Sequence, residues 1–528
     1  MKIMHDLHFF DTAVVDMTVV DTAVPGMTLP DTRACCHMFP AKKRTVEAPR
    51  RSPVKNRLFR VLLHAPLVVA VSIALFLGAT PLYSQELTVL IEEDVYPNPA
   101  PDNGSGATWC HGSTVLARAG DDVFVTELFV IPNAKPLNNC SWKLLKRDAG
   151  GWRCLFADDE NRTREPSPVA VYPGKNEIFV STNPTIVADP EKYSGPAQPQ
   201  IVRFGTGNGA AEKKVLLPAW DGEPPFTEHS YRSFVADGTN GELVVFQNVE
   251  YSHAEWAFLD RAGNWSSQGK IAWPWEENYD KPGPVRVCYP TVAMANRKVF
   301  FCGVSDILEP NPQWMAFKKE LTGQNWDYDF RRLFFTWTND ITKEEFQPWI
   351  EISSREKTCG WIMPCDLYVA PDESIHVLWS EKAIDVRLRE KFFPGEKQYE
   401  ALCHAVVRDG KVVKRNNVMI RHEGEDKPVA STGRFHATPD GRLWVVYYVR
   451  GTERNTGTGT ERTVSENRIV EIKNGEPAGS FQTIPLEKPF STFFTASVRA
   501  GNVPSPILDL HGNCPNSKQL RYAAIRFQ

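Results

Sequence analysis

Between residues 111 and 527, short apolar runs alternate with turn-forming residues, and one pattern recurs seven times. Each instance has a polar or aromatic opening, a short strand-like stretch, a Gly/Asp/Asn turn and a second apolar strand. The instances are HGSTVLARAGDDVFVTEL from His111, SPVAVYPGKNEIFVST from Ser167, YRSFVADGTNGELVVFQ from Tyr231 and YPTVAMANRKVFFCG from Tyr289. Three more follow: CDLYVAPDESIHVLWS from Cys365, RFHATPDGRLWVVYY from Arg434 and FTASVRAGNVPSPILDL from Phe494. The intervals leave room for a second hairpin, and SWKLLKRDAGGWRCLF, EWAFLDRAGNWSSQGKIAW, HAVVRDGKVVKRNNVMI and RIVEIKNGEPAGSFQTI supply it. Each repeat is therefore predicted to be four antiparallel strands, here called a to d.

The expected fold is all-β, a seven-bladed β-propeller of four-stranded antiparallel blades over residues 86–528. After its first hairpin the last repeat has only LRYAAIRF and so lacks strand d. LTVLIEE, beginning at Leu87, is predicted to fill that place and close the ring, which removes the exposed edges of an open sheet. A six-bladed ring and two separate β domains are the competing arrangements.

Composition fits many short strands and turns, with 15 Trp, 14 Tyr and 29 Phe beside 40 Pro and 34 Gly. The 60 basic and 64 acidic residues are spread along the chain, giving a net charge of -4. No basic field exists for nucleic acid, and that class of partner is set aside.

The first 85 residues read differently. Residues 1–60 are a low-complexity, basic extension expected to be disordered, in which DTAVVDMTVVDTAVPGMTLPDT repeats a five-residue unit too short to build a core. Residues 61–85 read as a signal peptide or membrane anchor: a basic stretch containing Lys42, Lys43, Arg44, Arg50 and Arg51 leads into the apolar run Val61 to Gly78. Leu82 and Ser84 suit a cleavage site. His64 and Pro66 weaken the run as a permanent helix, and either outcome places the propeller across a membrane, in a periplasmic or extracellular space.

Of the 11 cysteines, Cys288 and Cys302 flank the turn from Met294 to Lys298, and a hairpin would set them opposite each other as a disulfide. Cys140 with Cys154 and Cys359 with Cys365 are weaker pairs. CGWIMPC has the wrong spacing for the usual zinc pairs, and neither metal nor cofactor is expected. The chain is expected to be monomeric.

Two c–d turns, Asp148-Ala149-Gly150-Gly151-Trp152 and Asp260-Arg261-Ala262-Gly263-Asn264-Trp265, resemble degenerate Asp-boxes, the turn motif repeated in bacterial neuraminidases and related propellers. The resemblance implies a structural turn whose Asp caps amides and whose Trp packs between sheets. Sialidases of that superfamily use three arginines on the substrate carboxylate, one in an Arg-Ile-Pro motif. The similar tripeptide here is Arg164-Glu165-Pro166, with a charge at its centre.

In such a propeller the starts of a strands and the b–c loops converge on one mouth. His229, Tyr231 and Arg232 open blade 3, and Glu250, Tyr251 and His253 follow its strand b. Arg434 and His436 open blade 6, Tyr289 opens blade 4, Trp109 and His111 open blade 1, and Trp361 precedes blade 5. Imidazole, phenol, guanidinium and indole together suit an acidic sugar. The expected catalytic groups are His229, Tyr231 and His436. Arg232, Arg434, Tyr251, His253, Glu250, Tyr289, His111 and Trp361 are the expected substrate contacts.

A propeller with His, Tyr and Arg in its mouth is similar to the ulvan-lyase type of polysaccharide lyase. No stretch is close enough to carry that family's catalytic residues over one by one; on the residues themselves, Arg232 or Arg434 would neutralise a uronate carboxylate while His229 or Tyr231 removes the C5 proton and passes one to the leaving oxygen. A hydrolase, a non-catalytic glycan-binding propeller and a protein-interaction scaffold are the alternatives. The charged b–c insertion of blade 5, from Glu381 to Glu400, is expected to be a solvated loop that rims the mouth and attracts anions through Arg387, Arg389 and Lys391.

Overall fold

A computed structural model describes residues 86–110, 112–207, 209–229, 231–454 and 459–527. Seven four-stranded antiparallel sheets form the blades of a propeller. Blades 1 to 6 span 116–157, 169–216, 232–272, 287–354, 361–422 and 429–483. The seventh combines Thr492–Thr495, Ile507–Asn513 and Gln519–Phe527 with the N-terminal strand Leu87–Pro97.

Strand b of blade 3, Glu242–Val249, is buried at every position because neighbouring blades cover both of its faces. Outermost strands keep one wet face, and Lys411–His422 alternates between exposed and half-buried positions over most of its length. All seven a–b hairpins fall where the sequence repeats place them. One two-residue turn needs left-handed backbone at both central residues, Asn296 at φ 51° and Arg297 at φ 66°, between paired Ala295 and Lys298.

The ring closes as the sequence predicts. Leu87 lies opposite Phe527 and Glu93 opposite Tyr522, in antiparallel register with two bulges between Leu87 and Pro97. Both Asp-box-like turns are structural: Asp148 Oδ1 accepts the Gly150 amide at 2.9 Å, and Asp260 Oδ1 accepts those of Ala262 and Asn264 at 2.9 and 3.0 Å. Trp152 packs edge-on against Tyr522 of the neighbouring blade, and Trp265 is half-buried against an apolar cluster.

The end of the channel away from the strand-a starts is filled by residues 497–502, which join strands a and b of blade 7. Val171 N donates to Ala500 O and Ala236 N to Arg499 O, both at 2.9 Å. From this loop the Arg499 guanidinium reaches Asp366 Oδ1 at 2.7 Å, Gly112 O at 2.9 Å and Val292 O at 3.0 Å, joining blades across the axis. The crossing needs Gly238 and Gly501, since a Cβ on Gly238 would fall 2.1 Å from Gly501 O.

The cysteine expectation is corrected. The nine cysteines among the described residues are free thiols. A bulge at Tyr289 and Pro290 shifts the blade 4 hairpin, setting Cys288 opposite Val304 and Cys302 opposite Thr291. Burial pushes the thiol pKa of both upward. The expected N-terminal extension and export segment lie outside the described residues, among which no helix is long and apolar enough to cross a membrane.

Candidate functional site

Strand a of blade 3 begins at Arg232 and its strand c at His253, so His229, Tyr231 and residues 250–253 lie at the same end of one blade. Against them comes the start of blade 4, which enters at Val287 directly after Arg286. Arg286 was not singled out from the sequence, although it stands at the opening of its blade much as Arg232 does. Its guanidinium carbon lies 3.8 Å from the Tyr251 ring centroid and 5.7 Å from that of Tyr231. It is held there by Asp306, through an ion pair of 2.9 Å and an Nε bond to the Asp306 carbonyl at 2.9 Å.

Tyr251 is 45% exposed and its hydroxyl meets that of Tyr328 at 3.0 Å. Tyr328 comes from the blade 4 b–c insertion, where no repeat signal exists to place it. His229 completes the group, with its side chain 37% exposed, Nδ1 2.9 Å from Arg164 Nη1 and Nε2 3.7 Å from Glu228 Oε1. Burial, with the charges of Arg164 and Arg286 added, holds its pKa down at about 3.

The remaining predicted residues separate into supporting roles. Tyr289 is 7% exposed, adopts φ 51° at the bulge and packs against Tyr231 at 5.1 Å, Phe330 at 5.8 Å and Trp109 at 6.0 Å. It belongs to an aromatic floor, into which the bulge pushes it because Gly112 of blade 1 closes on Pro290. Tyr231 is in the same floor, and burial raises its hydroxyl pKa well above the usual value, which keeps it protonated and withholds the phenolate that a base would need.

Arg232 and Arg434 are corrected from substrate clamps to fasteners between blades. Arg232 donates to the Pro166 carbonyl and stands 3.7 Å from buried Glu165. Arg434 donates to the Cys365 carbonyl and, through Nε, to Phe493 O at 3.1 Å. Both are buried.

His436 is corrected as a catalytic group. Strand a of blade 6 begins at Val429 rather than Arg434, so His436 is its second-last residue and lies toward the a–b turn, away from the mouth. It stacks on Phe527 at 5.1 Å and its Nε2 meets Ser505 O at 3.0 Å. Burial lowers its pKa to about 4.

His253 turns to its own blade, with Nε2 2.8 Å from Glu255 and Nδ1 2.8 Å from Ser252 Oγ. Glu250 is an exposed turn residue at φ 45°. Trp361 is half-buried at the start of strand a of blade 5, opposite Lys382. His111 lies outside the described residues.

The charged insertion of blade 5 is not a free loop. It packs on the helix Pro312–Thr322 of the blade 4 insertion, with Trp314 against Phe393 at 5.5 Å and Phe317 against Phe392 at 5.7 Å. Arg387 pairs with Asp327 at 2.6 Å and Asp385 at 2.7 Å, and Arg389 with Glu423 at 2.8 Å. Lys391 lies over the Phe317 ring at 4.1 Å. The two arginines are neutralised within the protein, which removes the argument that they draw in an anion. A cavity of 680 Å³ does exist, but between the turns of blades 5 and 6, lined by Tyr368, Asp372, His376, Arg408 and Lys414, well apart from blade 3. Among the described residues no group of three or more His, Cys, Asp or Glu is placed to hold a metal ion.

No family model matches the chain, and no curated protein does. Solved structures align with it at low similarity. An ulvan lyase bound to -[GlcA(1-4)Rha3S]- is 9% identical with a TM-score of 0.46, over 82% of this chain and 95% of that one. An α-L-arabinanase from Penicillium chrysogenum, complexed with arabinobiose, is 11% identical with a TM-score of 0.34, over 66% and 90%. The β-propeller domain of the Trilobed protease from Pyrococcus furiosus is 10% identical with a TM-score of 0.38, over 78% and 94%. Carbohydrate-acting propellers are thus among the chain's structural neighbours, beside one from a protease.

Proposed function

We propose that the mouth edge shared by blades 2, 3 and 4 binds an acidic carbohydrate. One observation carries this reading: the Arg286 guanidinium lies 3.8 Å from the ring of half-exposed Tyr251, whose hydroxyl adjoins that of Tyr328, with His229 nearby. A pyranose ring offers an apolar face and a rim of hydroxyls, which an exposed phenol ring and clustered hydroxyls match. A carboxylate or sulfate on the sugar suits the guanidinium.

Elimination is the preferred chemistry. Arg286 would neutralise a uronate carboxylate and so lower the pKa of its C5 proton; Tyr251, as phenolate, would take that proton and return it to the leaving O4 as the C4–O4 bond breaks and the C4=C5 double bond forms. A non-catalytic binding propeller is favoured in its turn by the fastening roles of Arg232 and Arg434, which leave fewer groups for catalysis.

The deciding experiment is to incubate the full chain with a set of acidic polysaccharides and follow ultraviolet absorbance of the unsaturated product, with binding measured on the same samples. Product formation supports the lyase, binding without product supports the module, and the absence of both product and binding defeats the carbohydrate reading. We further propose export of the propeller through residues 61–78, on the order of basic and apolar residues there. Recovery of the tagged full-length chain in the cytoplasm of a secretion-competent cell would oppose it.

A further inference from the structure

We propose that His229 is held as a neutral ring with its proton on Nε2, so that it serves the mouth as a fixed hydrogen-bond donor to a substrate oxygen and never as a base, and that Arg164 is the positioning residue that enforces this. The inference rests on the carbohydrate-site reading for its substrate, but its structural half stands alone. A guanidinium has only donors. Arg164 Nη1 is 2.9 Å from Nδ1 of His229, so Nδ1 must accept, and the single proton of a neutral imidazole is left on Nε2.

Arg164 is not free to yield. Its side chain is 4% exposed, its Nε donates to Asn103 O at 3.0 Å, and Nη1 also lies 3.4 Å from Glu165 Oε1. Glycine at 104 is part of the same cradle, since a Cβ there would come within 2.9 Å of Arg164 Nη2. This arginine stands in Arg164-Glu165-Pro166, the tripeptide whose sequence resembles a sialidase carboxylate-binding motif. Its Nε and Nη1 donors go to Asn103, Glu165 and His229 instead.

The charged groups around the ring are of both signs, with Glu228 alone placed to favour a positive ring, and burial with the two arginines outweighs it. Arg164 and Arg286 both oppose a positive imidazolium, while Glu165 is engaged with Arg164 and Arg232. Buried Glu228 stands 3.7 Å from Nε2, too far for a hydrogen bond, and its Oε2 accepts the Gly195 amide at 3.0 Å. Nε2–H is therefore available on a side chain that is 37% exposed. A neutral imidazole N–H donates to an oxygen that gains negative charge without giving up its proton. The oxygen it suits is one belonging to a carboxylate, sulfate or leaving hydroxyl of the sugar.

The test is ¹⁵N NMR of the full chain labelled at histidine, with the His229 signals assigned by their loss in His229→Gln. The expected result is a pyridine-like Nδ1 and a pyrrole-like Nε2 that do not change from pH 8 to pH 5. Removing the donor with Arg164→Gln should return His229 toward ordinary titration and mixed tautomers. Should that variant fail to fold, the wild-type spectrum decides by itself. A proton on Nδ1, or titration of wild-type His229 near pH 6.5, overturns the proposal. Sodium glucuronate then separates the two readings: a shift of the Nε2 resonance supports donation to an acidic sugar, whereas a silent Nε2 with the tautomer confirmed overturns the substrate half alone.

Discussion

Blades 3 and 6 carry the same kinds of residue at the start of their first hairpins, Tyr231-Arg232 in one and Arg434-Phe435-His436 in the other. In the structure they do different things. Blade 3 begins its first strand at Arg232, so the residues before it reach the mouth. Blade 6 begins five residues earlier than its arginine, at Val429, and carries both Arg434 and His436 down into the channel wall. Both arginines end against a neighbouring blade, and the strand start decides the place of the histidine: His229, ahead of strand a in blade 3, has its side chain 37% exposed, whereas His436, inside strand a of blade 6, is buried.

The sharpest way to break this comparison is to remove the arginines. Arg434→Ala leaves the Cys365 and Phe493 carbonyls short of a buried charged donor, and Arg232→Ala leaves buried Glu165 with one arginine fewer. Each variant is expected to lose roughly 2–5 kcal/mol of stability, read as a lower midpoint in urea unfolding. An unchanged midpoint with weakened glycan binding would return these arginines to the mouth.

Acidification gives the next largest effect. His436 is neutral in the fold, with its pKa lowered to about 4 from an ordinary 6.5. As pH falls below 6.5 the unfolded chain takes up the proton first, so stability is fully present above that pH and declines toward pH 4. The full loss is about 3 kcal/mol for this one group. His376 and His511, lowered to about 4, and His404, lowered to about 3, act in the same direction. His436→Gln, whose amide can still donate to Ser505, should flatten the fall in unfolding free energy between pH 7 and pH 4.5. A slope equal to wild type would mean that this histidine is not the buried neutral group seen here.

The blade repeat was legible because its signal is periodic and long. Seven hairpins, their partners and the strand at Leu87 each left apolar runs between turns, and closure followed from the missing seventh strand d. The site was less legible because it depends on where each strand begins to within two or three residues. At Arg434 the apolar run starts earlier than the sequence suggests, through Val429 and Ala430. A bulge at Tyr289 broke the symmetry that would have paired Cys288 with Cys302. Tyr328 and Asp327, one of the two carboxylate partners of Arg387, lie in an insertion without a repeat, and no spacing could have brought them to the mouth. Arg286 was within reach of the sequence, since it stands immediately before strand a of blade 4.

On the blade 3 side, Tyr251→Ala removes an exposed ring that carries no part of the core, although it uncovers one face of Arg286. Loss of the stacking face should weaken binding of an acidic oligosaccharide by about 1–2 kcal/mol, measured by calorimetry, with the melting temperature within a degree or two of wild type. Tyr251→Phe retains the ring and removes the hydroxyl bond to Tyr328. If elimination is the chemistry, that variant keeps affinity and loses turnover. Equal loss of both quantities in the two variants would show that Tyr251 only shapes the loop.

The smallest effect tests the turn itself. Glu250 sits beside Tyr251 and was a candidate substrate contact, yet its side chain is exposed and its backbone at φ 45° is one that glycine adopts without steric cost. Glu250→Gly relieves the left-handed strain but adds freedom to the unfolded chain. The two terms oppose each other and leave a net change within about 1 kcal/mol, read from urea unfolding. Ligand affinity should then stay at the wild-type value, or rise slightly, because removing a carboxylate from the turn that carries Tyr251 lessens repulsion of an anionic sugar. A clear fall in affinity with stability preserved would put Glu250 back among the residues that touch the substrate, and would extend the blade 3 site from the Arg286–Tyr251 pair to the tip of its b–c turn.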